Sequence, residues 1–393
     1  MAEGSDNDHP PFRAGIDRRK ALAAAAGLGA AATGGGVVAS IISNARERRV
    51  SREGPAITGQ AARQLRMVTT WPKNFPGLGT GAARLGRRIS EMSGGSLDVT
   101  VYAAGELVPA LSAFDAVSGG KADMYHGGEY YWQGRSKAFN FFAAVPMGLT
   151  FSEMNAWMHF GGGQELWDEL TAKHNVKGLI AGNTGVQMGG WFRKRMDSLA
   201  DFEGLRIRMP GLGGEVMQRL GATPVTKAGG ELFQALDQGN IDATEWVGPW
   251  NDMAFAFHTI VENYYYPGIH EPGTALSLGI NKELWEDLSK RERAMIEAAC
   301  DAETAIMYAE FEHNNATSLA RLLEAGEVTL RRFPDSVLRR MAEESEAVLQ
   351  QVAAEDDFTK RVYDSFKQAR RRGDEWGRVS ERAFAHARSF ITD

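Results

Sequence analysis

Residues 241–251, IDATEWVGPWN, set a carboxylate, two indoles and an amide close together as Glu245, Trp246, Trp250 and Asn251. They follow a short strand, and ligands of open α/β sheets bind beyond the carboxyl ends of strands. A glutamate among tryptophans is costly to bury unless a cation answers it. Arg208, on the alternating strand LRIRM, carries a planar guanidinium that suits a carboxylate. Gln187, Glu245 and a backbone carbonyl are all oxygen donors, the set that hard cations prefer. The converging group is therefore Gln187, Arg208, Glu245 and Trp246, with Tyr131 and Glu271 at its edge. HExxH, GxSxG, P-loop and Cys–His signatures are absent, and the sole cysteine, Cys300, stands in an apolar helical pattern. With no nucleophile or proton relay beside it, Glu245 reads as a cation ligand rather than a general base. The chain reads as a binding protein rather than an enzyme.

The helix–glycine–strand unit that delivers Glu245 occurs twice. Phe233, Ala235, Gly239 and Asp242 match Phe114, Ala116, Gly120 and Asp123 at one constant offset, and the earlier copy runs into Tyr130-Tyr131-Trp132. A glycine after each helix enters the left-handed conformation without steric cost. The repetition implies two similar α/β lobes, each aiming an aromatic strand end into one cleft, with Trp246 and Trp250 lining the pocket. Residues 1–64 read as an export segment and linker, 65–186 as the first part of lobe one and 187–273 as lobe two. Residues 274–334 read as the return to lobe one, and 335–393 as a C-terminal helical extension able to embrace the other lobe or a second copy. Glycine-rich residues 182–190 are expected to form a hinge. Ser289 and Glu292 make a capping box that opens a long helix. His126, His258 and His270 lie near the aromatic clusters and read as structural.

A rival reading rests on Gly77-x-Gly79-x-Gly81, which invites a dinucleotide and with it an oxidoreductase. Residues 72–76 separate this run from the preceding strand. A helix N-terminus offering backbone N–H groups to the cleft is the better expectation. The net charge of −6 over 393 residues leaves no basic footprint for nucleic acid. An acidic surface does not attract anions at long range, so an anion site must be built locally.

Four stretches, GKADMYHGGEYYW, FEGLRIRMPG, LGATPVTKAGGELFQALDQGNIDATEW and NKELWEDLSKRERAMIEAA, carry a family resemblance. The chain resembles the periplasmic solute-binding subunits of tripartite ATP-independent (TRAP) transporters. WPKNFPGLGTGAARL and YYYPGIHEPG are most similar to the branch that binds 2-oxo acids. The resemblance implies the two-lobed periplasmic solute-binding protein fold, closing on a ligand and delivering it to a membrane permease. It implies that Arg208 pairs with the substrate carboxylate. Gln187, Glu245 and Trp246, the last through its backbone oxygen, would hold a sodium ion, with calcium as the alternative and Glu271 as a further ligand. The expected ligand is pyruvate-like. A 2-hydroxy acid such as lactate, a dicarboxylate or a polyol are the alternatives. A homodimer exchanging a long helix is also implied. Asp17-Arg18-Arg19-Lys20 and the Ala/Gly-rich run after it resemble a twin-arginine export signal, with retention as a membrane anchor the alternative.

Overall fold

The computed structural model describes residues 62–391. The export segment lies outside the described residues. The chain begins with β1 (Arg63–Thr69), α1 (Leu78–Met92), β2 (Leu97–Tyr102), α2 (Ala113–Ser118) and β3 (Met124–Gly127). Short 3-10 turns lead to α3 (Phe151–Phe160), α4 (Gly163–Ala172) and β4 (Val176–Asn183). A second sheet then opens with β5 (Gly190–Phe192) and β6 (Arg206–Arg208). It continues through α5 (Gly211–Arg219), β7 (Thr223–Val225), α6 (Leu232–Asp237), β8 (Ala243–Thr244), α7 (Pro249–Ala254) and β9 (Asn263–Tyr266). β10 (Ala275–Asn281) and α8 (Lys282–Asp287) precede the long helix α9 (Lys290–Ala325) and β11 (Thr329–Arg332). Three helices close the chain: α10 (Asp335–Ala353), α11 (Asp357–Gly377) and α12 (Glu381–Arg388).

The first sheet has the order β2-β1-β3-β10-β4 and the second β11-β9-β5-β8-β6-β7. These are the two lobes. The chain crosses between them at residues 184–189, again at 267–274, and a third time along α9. β11 corrects one expectation. The return to lobe one ends before it, because Thr329–Arg332 pair in parallel with Asn263–Tyr266 of the second sheet. A helix as long as α9 carries the chain across both lobes, so the next strand lands on the far sheet.

The repeat is visible bond for bond. In the first copy Gly120 donates to Val117 O, and Lys121 and Ala122 both donate to Ala116 O. In the second, Gly239 donates to Leu236 O, and Asn240 and Ile241 both donate to Ala235 O. Gly120 and Gly239 have φ of 72° and 68°, a conformation that disfavours any side chain. Asp123 accepts from the Arg66 amide and guanidinium, and Asp242 from those of Arg206. Each aspartate thus ties its strand to the parallel neighbour, a structural role.

The glycine loop before α1 departs from the expectation. The amides of Leu78, Gly79, Thr80 and Gly81 donate to Pro76, Phe75, Phe75 and Gly77 carbonyls, so none is free for a ligand. The glycines serve close packing instead. A Cβ on Gly77 would lie 2.8 Å from Phe311 and Trp250, and one on Gly81 2.3 Å from Met307. Trp250 accordingly packs on Phe311 of α9, with ring centres 5.3 Å apart, rather than lining the cleft. The capping box at Ser289 and Glu292 forms as expected and starts α9, which ends at Gly326 in the left-handed region. The closing helices hold both lobes. α10 packs on α5 of lobe two, and α11 packs on α3 and α4 of lobe one. Phe366 of α11 meets Phe141 and Trp157, while the Trp157 indole donates to Ser365 Oγ at 3.0 Å.

Candidate functional site

Strand alternation sends Ile207 into the core of lobe two and turns Arg206 and Arg208 to the other face. Arg206 lies toward solvent, on Asp242. Arg208, at the end of β6, points into the cleft and is fully buried. β8 runs parallel beside it and ends at Thr244, which places Glu245 and Trp246 next to Arg208. The two crossing segments supply Gln187 on one side and His270, Glu271 and Thr274 on the other. Lobe one closes the space with Trp71, Leu78, Tyr130, Tyr131 and Leu276.

The cavity between these walls is narrow, about 10 Å³. Gln187, Trp246 and Tyr131 line it, together with Thr184, Val247 and Thr274. Arg208, Glu245 and Glu271 form a charged group directly behind this wall. Arg208 pairs with the Glu245 carboxylate, lies 5.0 Å from the Trp246 ring centre, and its Nη2 is 3.4 Å from Tyr131 Oη. The other Glu245 oxygen is 3.2 Å from His270 Nε2. Glu271 Oε2 accepts from Gln187 Nε2 at 2.8 Å and from Thr274 Oγ1 at 2.5 Å. All six expected site residues therefore converge in one region, three on the cavity and three behind it.

The electrostatics follow from burial and from the charges that face one another. Burial opposes the charge on Arg208, but Glu245 and the neighbouring acidic groups outweigh it and hold the guanidinium above its ordinary range. Burial and the nearby Glu245 charge push Glu271 up to about 7. His270 is also shifted upward: burial works against its charge, and the Glu245 carboxylate more than compensates. Glu245, His270 and Glu271 bring ligand atoms within 4.8 Å of one another, a geometry that can hold a metal ion. The buried Gln187 Oε1 has no hydrogen-bond partner. An orphaned oxygen beside two carboxylates is the donor chemistry a hard cation requires, so these residues fit such an ion.

His270 is the residue the sequence reading misplaced. It is part of the charged group rather than a packing histidine, because the crossing at 267–274 folds back over the end of β8. Asp252 is a second omission. It accepts from Tyr264 Oη at 2.7 Å, Trp191 Nε1 at 3.0 Å and the Val247 amide at 3.3 Å, and so fixes the backbone beside Trp246. Burial pushes its carboxyl up to about 6. No sequence signal marked either residue, apart from their nearness to the aromatic clusters.

A comparison with protein-family models matches residues 67–356 to the bacterial extracellular solute-binding proteins, family 7. The chain belongs to this family. Its members are the solute-binding receptors of TRAP transporters, and not enzymes. A monocarboxylate 2-oxoacid-binding periplasmic protein of Nostoc sp. is 38% identical over 81% of this chain and 87% of its own length. A solved TRAP solute-binding protein of Pseudoalteromonas atlantica, holding sodium and pyruvate, is 34% identical, with a TM-score of 0.81 over 83% of this chain and 99% of that one. One from Bordetella bronchiseptica, a dimer with calcium and picolinate, is 32% identical, with a TM-score of 0.82 over 84% and 97%. Among the described residues of this solute-binding protein, no helix is long and apolar enough to cross a membrane. The oxidoreductase reading falls with the family assignment and with the capped glycine loop. Cys300 is buried in α9, where burial pushes the thiol up and keeps it unreactive.

His126, the structural histidine of lobe one, sets an acid limit on this solute-binding protein. Its Nδ1 accepts from Trp71 Nε1 at 2.8 Å, and its Nε2 meets Ala181 O at 3.1 Å. Burial pushes its pKa down from 6.5 to about 4, so the folded protein resists a proton that the unfolded chain accepts. Stability from this group is intact above pH 6.5 and is lost as pH falls toward 4, by about 3 kcal/mol in total. Urea unfolding at pH 7 and pH 4.5 should show the loss in the parent and a clearly smaller one in His126→Gln. Equal losses would rule the histidine out. The comparison with the variant is needed because burial raises Glu129 to about 7, and its contribution changes in the opposite sense.

Proposed function

We propose that this protein captures a small 2-oxo monocarboxylate such as pyruvate together with one cation, sodium or alternatively calcium, and delivers it to a TRAP membrane permease. The observation that carries the reading is the buried Arg208–Glu245 pair beside the orphaned Gln187 oxygen. A carboxylate arriving alone would leave three anionic groups facing one guanidinium and one imidazole. A carboxylate arriving with a cation keeps the charges matched. Arg208 takes the ligand carboxylate, and the cation takes Glu245, Gln187, Glu271 and the Trp246 backbone oxygen. A cation held there would favour a ligand that carries a second oxygen or nitrogen donor on the carbon next to its carboxylate. Pyruvate and picolinate, the ligands of two relatives, share this feature: a carboxylate with a second donor on the adjacent carbon. A 2-hydroxy acid offers the same pair of donors. Among the described residues no lysine or arginine lines the cavity itself, so beyond Arg208 behind the wall a dicarboxylate finds no cation for its second carboxylate there.

Two of the binding walls belong to lobe two, one to lobe one, and Gln187 and Glu271 to the crossings. Ligand and cation therefore pull on both lobes and on the hinge at once, which favours the closed form the permease would recognise. The open groove between α3 and the α11–α12 junction is larger, but its Trp376 and Phe160 are exposed apolar groups. They support pairing of these helices with a second copy, and the Bordetella relative is a dimer. The twin-arginine-like segment supports export to the periplasm, cleaved or kept as an anchor. Native mass spectrometry of the purified protein with pyruvate, lactate, succinate and sodium tests the ligand reading. The expected species is a dimer carrying one 2-oxo acid and one cation per protomer. Preferential retention of succinate, or of no acid, would reverse the ligand assignment.

A further inference from the structure

The orientation of one side-chain amide is fixed by three neighbouring oxygens, two of them threonine hydroxyls. Gln187 Nε2 lies 3.0 Å from Thr184 Oγ1, 2.8 Å from Glu271 Oε2 and 3.1 Å from Thr274 Oγ1. Each of these oxygens is obliged to accept. Thr274 gives its proton to Glu271 Oε2 at 2.5 Å, and Thr184 gives its proton to Gly185 O at 3.2 Å. The Glu271 carboxylate oxygen, in its ionised form, has no proton to give. An amide turned by 180° would set its carbonyl oxygen against three acceptors, a repulsive arrangement in a buried, low-dielectric place. The amide therefore has one allowed orientation, with Nε2 toward this cage and Oε1 left without a partner.

The cage also joins the two crossings between the lobes. Thr184 and Gln187 lie on the first, Glu271 and Thr274 on the second. Their backbones are bonded across, Gln187 N to Glu271 O and Thr184 N to Thr274 O, both at 3.1 Å. Asn183 Nδ2 adds a bond to Gly273 O at 3.1 Å. A ligand atom held by Gln187 is thus referenced to the hinge itself.

We propose that Thr184 and Thr274 are positioning residues that lock the Gln187 amide with its oxygen toward the cation, and that this lock sets how strongly solute binding depends on the cation. The inference rests on the cation reading above. Without the hydroxyls the amide samples both orientations, and the flipped one presents N–H groups that repel a cation. Thr274→Val keeps the shape of the side chain and removes its oxygen, whereas Thr274→Ser keeps the oxygen.

The test is calorimetric titration of pyruvate into full-length parent, Thr274→Val, Thr274→Ser and Thr184→Val protein, each in sodium buffer and in sodium-free, chelator-treated buffer. The quantity read is the ratio of the two affinities. The parent ratio should be large, Thr274→Ser should preserve it, and Thr274→Val and Thr184→Val should each reduce it at least tenfold. Thr184→Val decides the matter if Thr274→Val fails to fold. A parent ratio near one would remove the cation reading itself. A large parent ratio that the valine variants leave unchanged would overturn the amide lock while leaving the cation reading in place. A valine variant whose affinity falls equally in both buffers would show a merely structural role, and would equally overturn the lock.

Discussion

Arg208→Ala should reduce pyruvate binding by about ten- to a hundredfold and lower the melting temperature as well. The guanidinium is fully buried and paired with Glu245, and its Nη2 faces Tyr131. Removing it strips the ligand carboxylate of a charge-assisted contact of roughly 1.5–3 kcal/mol. It also leaves Glu245 buried with only His270 beside it, and breaking a buried pair in this way typically costs about 3–5 kcal/mol. Arg208→Lys should fall between, since an ammonium cannot reproduce the planar two-pronged contact. The stability and binding effects separate in the double variant Arg208→Met, Glu245→Met. Apolar side chains of similar volume replace a buried ion pair with little loss, so melting should recover toward the parent while binding stays absent. Titration calorimetry and thermal unfolding read the two quantities. Parent-like affinity in Arg208→Ala would move the carboxylate to another group.

Removal of sodium and divalent ions should weaken pyruvate binding at least tenfold, and Glu245→Gln should make the remaining affinity indifferent to them. Glu245 and Glu271 both lie behind the cavity wall, and Glu271 is already pushed up to about 7 by burial and by Glu245. A third carboxylate adds repulsion that Arg208 alone does not offset. A cation bound by Gln187 Oε1 and the two glutamates restores the balance and gives the ligand a second anchor. Preparing the protein through an unfolding step with a chelator removes ions that copurify. Glu245→Gln keeps the shape and one oxygen donor but loses the charge that retains the ion. Identical affinities with and without ions in the parent would exclude the cation, and a strong ion dependence surviving in Glu245→Gln would point to Glu271 as the principal ligand.

Both predictions depend on charges held between segments that are remote in the chain. Gln187 and Glu271 are 84 residues apart, and Arg208 and Glu245 are 37 apart. The fold brings them together because two crossings of the same pair of lobes must run side by side, and because β6 and β8 are parallel neighbours. The charged group is thereby built on the two crossings and on one lobe, with the aromatic wall of the other lobe facing it.

The sequence by itself determined the units and their chemistry. The helix–glycine–strand repeat was legible because its closing bonds span only a few residues and its glycines must take positive φ. The Ser289 box and the alternation around Ile207 were legible for the same reason, each being a local pattern of residue type, whereas the Gln187, Arg208, Glu245 set was legible from residue type and the family resemblance. Tertiary structure alone decided which groups face one another. It moved Trp250 from the cleft to α9, turned the Leu78–Gly81 amides onto loop carbonyls, and sent β11 to the second sheet. It also drew His270, Asp252, Thr184 and Thr274 into the site. Hydrogen-bond direction and the partners of a buried charge depend on every segment that crosses the same point in space, and no local pattern encodes that crossing.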